Sequence, residues 1–267
     1  MNKIAMAIAA HPDDIEFMMA GTLVLLKNAG YEIHYMNLSS GNCGSTETDA
    51  VTTARIRLLE AQNSASILGA VFHPPICDDF EIFYEAGALR KLTGIIRKVK
   101  PSIILTHSPV DYMEDHMNAC RLAVTAAFVR GVPNFKSSYP AVSNYNCAIY
   151  HALPHGLLDP LGQEVIPGIF IDTESVHTIK KEALDAHKSQ KNWLEDSQKM
   201  DSYIAAMEDF SIKVGGMSEC FVHAEGWRKR VHFGFSESEF DPLKELGEVY
   251  SLCKKSIGVN YPDLVLK

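Results

Sequence analysis

Six cysteines are scattered through 267 residues, none in a Cys-x-x-Cys pair and each more than 25 positions from the next. That spacing argues against a cysteine zinc cluster or a disulfide framework. Each cysteine reads instead as a small buried hydrophobe, and a reducing, cytoplasmic setting is the default expectation. No apolar run approaches the roughly 18 residues that a membrane span requires. Nor is there a basic block: 25 Lys+Arg stand against 33 Asp+Glu, a formal net charge of −8. Nucleic acid and anionic membrane surfaces are therefore set aside as partners. The segment from Leu38 to Gly44 is rich in serine and glycine. It lacks both the Gly-x-Gly-x-x-Gly spacing and a Gly-Lys-Ser/Thr ending, which argues against a nucleotide-dependent oxidoreductase and leaves a loop that rims a pocket. The amino terminus has Lys3 and then apolar or small residues to Ala10, but not the charged region of a signal peptide. No internal repeat or low-complexity linker divides the chain.

What is present is alternation. Short apolar runs at 3–10, 31–38, 70–73 and 102–106 read as strands, and the stretches 17–29, 50–68, 86–99 and 117–130 read as helices. Such βαβα order predicts an α/β fold, a Rossmann-like, mostly parallel sheet covered by helices on both faces. Past Pro133 the pattern changes, with strands expected at 147–152 and 168–172 and helices at 176–192 and 198–214. The expectation is one domain over 1–267, with a core at about 3–230 and a peripheral C-terminal tail.

Chemistry is concentrated at two strand ends. His11-Pro12-Asp13-Asp14 follows the first apolar run directly, at the carboxyl end of a strand, where open α/β sheets place ligands. Pro12 fixes its own φ and stiffens the turn. A nitrogen donor with hard oxygen donors suits zinc or a similar divalent ion. Ser102 to Thr106 then leads into His107-Ser108-Pro109-Val110-Asp111-Tyr112-Met113-Glu114-Asp115-His116 and a helix. A histidine and an aspartate from one strand end with a histidine from the other would leave a fourth metal position for water. That is the composition of catalytic rather than structural zinc sites.

These residues resemble the LmbE/PIG-L family of zinc-dependent de-N-acetylases. The resemblance runs in order from about residue 3 to 230. It takes in Ala10 to Asp14, Arg57-Leu58-Leu59-Glu60, Asp79, Asp115-His116, Ala186-His187-Lys188-Ser189-Gln190 and Ala224 to Arg228. It implies zinc, or another divalent metal, on His11, Asp14 and His116, with Asp13 as general base; the residues alone do not say which aspartate does which. It further implies Arg57 and Asp79 as substrate contacts and an acetylated amino sugar, such as an N-acetylglucosamine conjugate, as the small-molecule substrate. Many members carry a histidine three residues before the metal-binding one, and here that position is Met113. A thioether cannot donate a hydrogen bond to an oxyanion. His187 is then the expected oxyanion donor, ahead of His107, and Asp115 is expected to orient an imidazole or the turn.

The activity expected is hydrolysis of an N-acetyl amide. A metal-dependent esterase or lactonase, or a metal-binding protein of weak catalysis, would use the same ligands. Whether the chain forms a homo-oligomer is left open by the sequence.

Overall fold

The computed structural model describes residues 2–190 and 203–253. Strand β1 (Ile4–Ala9) is uncharged because both its faces are covered. Ala5, Ala7 and Ala9 pack into one apolar layer, and Met6 and Ile8 into the other. It pairs in parallel with β2 (Glu32–Asn37) on one side and β4 (Ile103–Thr106) on the other. Strands β3 (Val71–His73) and β5 (Ala148–Ala152) extend the parallel sheet outward from β2 and β4. Beyond β5 the sheet becomes antiparallel through β7 (Ala224–Lys229), β6 (Ile169–Asp172) and β8 (Tyr250–Leu252). The full order is β3-β2-β1-β4-β5-β7-β6-β8.

Helices α1 (Asp14–Met18), α2 (Ala20–Asn28), α3 (Ala50–Leu68), α6 (His177–Asp185) and α7 (Tyr203–Ser218) cover one face. Helices α4 (Ala86–Val99) and α5 (Glu114–Phe128) cover the other. The caps are chemical. The Asp49 side chain accepts from the Thr52 amide at the start of α3, and Gly69 ends that helix at φ 73°. A positive φ at that place favours glycine. Chain order reverses between β1 and β4, so a crevice opens at their carboxyl ends, where the first crossover leaves on one side and the second on the other.

The parallel half matches the elements read from the sequence. The later half departs from them. β7 and β8 are absent from that reading, because β7 carries Glu225, Arg228 and Lys229 and β8 is only three residues long. The described part of the tail, to Cys253, is not peripheral: Phe240, Leu243 and Cys253 are buried, and β8 pairs with β6. The expected helices at 176–192 and 198–214 lie partly outside the described residues. The described parts are α6 and α7, and α7 runs on to Ser218.

One carboxylate ties the two halves together. Glu225 of β7 is buried; its Oε1 accepts from the Gly21 amide at 2.8 Å and from Lys180 Nζ at 2.7 Å, and its Oε2 accepts from the Thr22 amide at 2.7 Å. It thus supplies the acceptor that the open amino end of α2 lacks in its own side chains. Trp227 Nε1 adds a bond to the Thr22 hydroxyl, which makes this tryptophan a packing residue. Only glycine fits at 21, since a Cβ there would lie 2.5 Å from Thr173 Cγ2.

Candidate active site

The turn after β1 is tight. Asp13 sits at φ 110°, a strained value for a residue with a side chain, and the His11 amide donates to Asp14 Oδ2 at 2.7 Å. Arg57 of α3 clamps the turn from behind. Its Nη2 donates to the Pro12 carbonyl at 2.6 Å and lies 3.3 Å from Asp13 Oδ2, while Nη1 reaches the Gly41 carbonyl at 3.3 Å. The loop after β2 wraps this guanidinium closely enough to require glycine: a Cβ at Gly41 would lie 2.6 Å from Arg57 Cδ.

His11, Asp14 and His116 converge. His11 Nδ1 is 3.4 Å from Asp14 Oδ2, and His116 Nε2 is 3.4 Å from Asp14 Oδ1. Donor atoms of a tetrahedral zinc, bound at about 2.0–2.2 Å, lie about 3.3–3.6 Å apart. All three donors fall within 4.8 Å of one another. Behind each imidazole stands a carboxylate. His11 Nε2 lies 3.1 Å from Asp115 Oδ2, and His116 Nδ1 lies 3.0 Å from Asp111 Oδ1. Each ring therefore has one nitrogen held from behind and the other turned to the common point, the arrangement that fixes ligating histidines. This donor set fits a divalent cation.

Electrostatics agree with the geometry. Burial opposes protonation of His11, yet its bonds to Asp115 and Asp14 raise it to about 9. Burial likewise opposes protonation of His116, while Asp14 and Asp111 raise it to about 10. Asp14, although buried, is held well below the usual carboxylate range by His116 and His107. Without a cation both imidazoles hold a proton at neutral pH, and a binding cation must displace both. Apparent zinc affinity is expected to climb between pH 6 and 8 by up to about a hundredfold per unit, two protons leaving per ion. Calorimetric titration in buffers of differing ionisation enthalpy counts those protons; a pH-independent affinity would contradict the expectation.

Asp13 lies beside this cluster and lines a cavity of about 400 Å³. Burial pushes its carboxyl up to about 6 against the opposing pull of Arg57, and the Tyr203 hydroxyl bonds to it. Phe17, Met18, Phe80, Tyr112, Met113, His155 and Tyr203 also line the cavity. Asp79 reaches its edge, but its carboxylate already accepts from Ser39, the Gly41 amide and the Cys43 amide. Asp115 holds His11 and also accepts from the Phe80 amide at 2.7 Å.

The structure does not bring His187 to the cavity. It is fully buried, its Nε2 lies 3.0 Å from Glu16 Oε1, and the Ser64 hydroxyl bonds to the same oxygen. The chain just after α6 turns this ring inward onto Glu16 of α1, so it faces the support of the turn instead of the pocket. His107 is also fully buried, and stacks on His116 with ring centroids 4.2 Å apart. Asp111, Glu16 and Tyr203 are site residues that sequence reasoning passed over. Of these, only Asp111 carries a signal, an acid five positions before His116 in a turn already singled out.

Residues 6–128 match the family described as PIG-L: GlcNAc-PI de-N-acetylase. A diacetylchitobiose deacetylase from Thermococcus kodakarensis is 29% identical over 201 residues, which span 70% of each chain. A 4-oxalmesaconate hydratase from Pseudomonas putida is 28% identical over 198 residues, 71% of this chain and 75% of that one. In structure, the N,N'-diacetylchitobiose deacetylase from Pyrococcus horikoshii aligns with a TM-score of 0.72 at 23% identity, covering 90% of this chain and 88% of that one.

Proposed function

The chain carries a PIG-L (LmbE-like) family domain, and from that premise we propose that it is a zinc-dependent hydrolase that removes the acetyl group from the nitrogen of an amino sugar or its conjugate. The observation that carries this reading is the convergence of His11 Nδ1, Asp14 and His116 Nε2, each imidazole backed by a carboxylate, beside the buried Asp13. A divalent ion held there would polarise an acetyl carbonyl and make water nucleophilic near neutral pH.

Asp13 takes the proton of the attacking water and later gives it to the departing amine. Its elevated pKa suits both tasks, since a base that titrates near the working pH can also act as an acid. Arg57 and Tyr203 hold that carboxylate toward the cavity, and Asp115 and Asp111 keep His11 and His116 in register. Arg57 and Asp79 shape the pocket from positions where most of their bonding capacity is already used on the turn and the loop after β2. The aromatic walls Phe80 and Tyr112 offer flat apolar faces suited to a sugar ring.

Incubation of zinc-loaded protein with a panel of N-acetylated amino sugars is expected to release free amine and acetate in equal amounts. Absence of amine from every member of the panel would reject the reading. The similarity to a hydratase supports one alternative, addition of water to a conjugated alkene acid by the same centre. Loss of alkene absorbance without amine release would establish it instead.

A further inference from the structure

An amide hydrolase needs a donor for the oxygen that becomes negative as water adds, set apart from the base that takes the water's proton. Most polar groups lining the cavity are already committed. His11 is held by Asp115, His116 by Asp111, Arg57 by Pro12 and Asp13, Asp79 by the loop after β2, and Tyr203 by Asp13. Met113 has nothing to donate, and His187 faces Glu16.

His155 differs from all of these. It lines the cavity, is solvent-accessible, and its ring nitrogens make no hydrogen bond among the described residues. Its ring lies 5.2 Å from that of Phe17 and 5.9 Å from that of Tyr112, and the Tyr112 ring is in turn 5.6 Å from that of His116. The Tyr112 ring thus neighbours both His155 and His116, and all three line the same cavity. The loop that carries it is anchored on both sides. Pro154 precedes it, the Leu157 amide bonds back to the Pro154 carbonyl at 3.0 Å, and Leu157 is buried at φ 62°. A strained residue held in the core is a feature of sites where a loop is fixed for function.

We propose that His155 is the hydrogen-bond donor to the acyl oxygen in the reaction assigned above, an inference that rests on the hydrolase reading. As the water oxygen bonds to the acyl carbon, Asp13 takes the water's proton and the carbonyl π pair moves onto the oxygen. His155 meets that oxygen with an N–H that it keeps. The oxygen pair then re-forms the carbonyl and the C–N bond breaks, its electron pair staying on nitrogen, which takes the proton from Asp13. Acetic acid leaves and ionises in solvent. Partial desolvation of the ring where it packs on Phe17 and Tyr112 lowers the His155 pKa, consistent with a neutral donor.

The test compares wild type with His155→Ala, His155→Gln and Tyr112→Phe, all zinc-loaded. His155→Ala is expected to lose about 100- to 1,000-fold in kcat with KM and zinc content little changed, and His155→Gln, which keeps an N–H, to recover at least about tenfold of that. Methylphosphonate, a tetrahedral oxyanion that needs no turnover, is expected to bind His155→Ala about tenfold more weakly than wild type. A hydrolytically active wild type with an unimpaired His155→Ala would overturn the inference, as would a loss carried by Tyr112→Phe instead. If wild type hydrolyses no acetamide, the hydrolase reading has failed. The methylphosphonate titration then decides whether His155 faces an oxyanion, and equal binding by wild type and His155→Ala overturns that as well.

Discussion

His116→Ala protein is expected to fold, to retain no stoichiometric metal and to lose turnover to the background rate. The side chain supplies one of three convergent donors and lies against His107, so its removal leaves a pair of ligands and a gap filled by water. Affinity should drop by more than the about 10- to 100-fold that accompanies loss of an outer partner. Asp111→Asn provides that milder comparison, because it leaves every ligand in place but weakens the hold on His116 Nδ1. Elemental analysis after dialysis, with circular dichroism as the check on folding, distinguishes the two. Stoichiometric metal on folded His116→Ala protein would remove His116 from the ligand set.

The second large effect is at Asp13. Asp13→Ala is expected to keep its metal and to lose about two to four orders of magnitude in kcat, the range for a positioned general base. Two features keep the outcome informative. Asp13 is next to the convergent donors without being among them, and Arg57 still holds the turn through the Pro12 carbonyl when the carboxylate is gone. In wild type, activity should rise with pH as Asp13 ionises, along a limb at or below about 6, because an adjacent cation lowers a carboxyl pKa further. If the alanine variant lost its metal while Asp14→Ala kept it, the two aspartates would exchange roles.

The residues that can be read from sequence are those whose neighbours in space are also neighbours along the chain. His11 to Asp14 form one turn, and the run from His107 to His116 lies between a strand and a helix, so composition at two strand ends carried both. The five parallel strands were visible for the same reason, as short apolar runs spaced by helices. His187 is held by contacts that its own segment does not encode. Its surrounding segment suggested a place over the metal, but only packing against Glu16 determines which way the ring turns. His155 follows a proline in a loop that looked structural and gains its surroundings from Phe17 and Tyr112, each more than 40 positions away. β7 was invisible because its charged residues find partners in other parts of the fold, Glu225 with Lys180 and Lys229 with Asp241.

Glu225 meets its partners only late in synthesis. The amides it holds at Gly21 and Thr22 are made some two hundred residues before it. During synthesis the first strand, the turn that follows it and α2 emerge long before the carboxylate that fixes the start of α2. Long-range closure of this kind is slow compared with local structure, since loop entropy must be overcome before the contact forms. The nascent chain thus presents His11 and Asp14 in a segment whose support is incomplete until the antiparallel strands have joined the sheet. If the proposed centre holds an ion, its capture at the final geometry would then come late in folding, well after the donor residues themselves have been made.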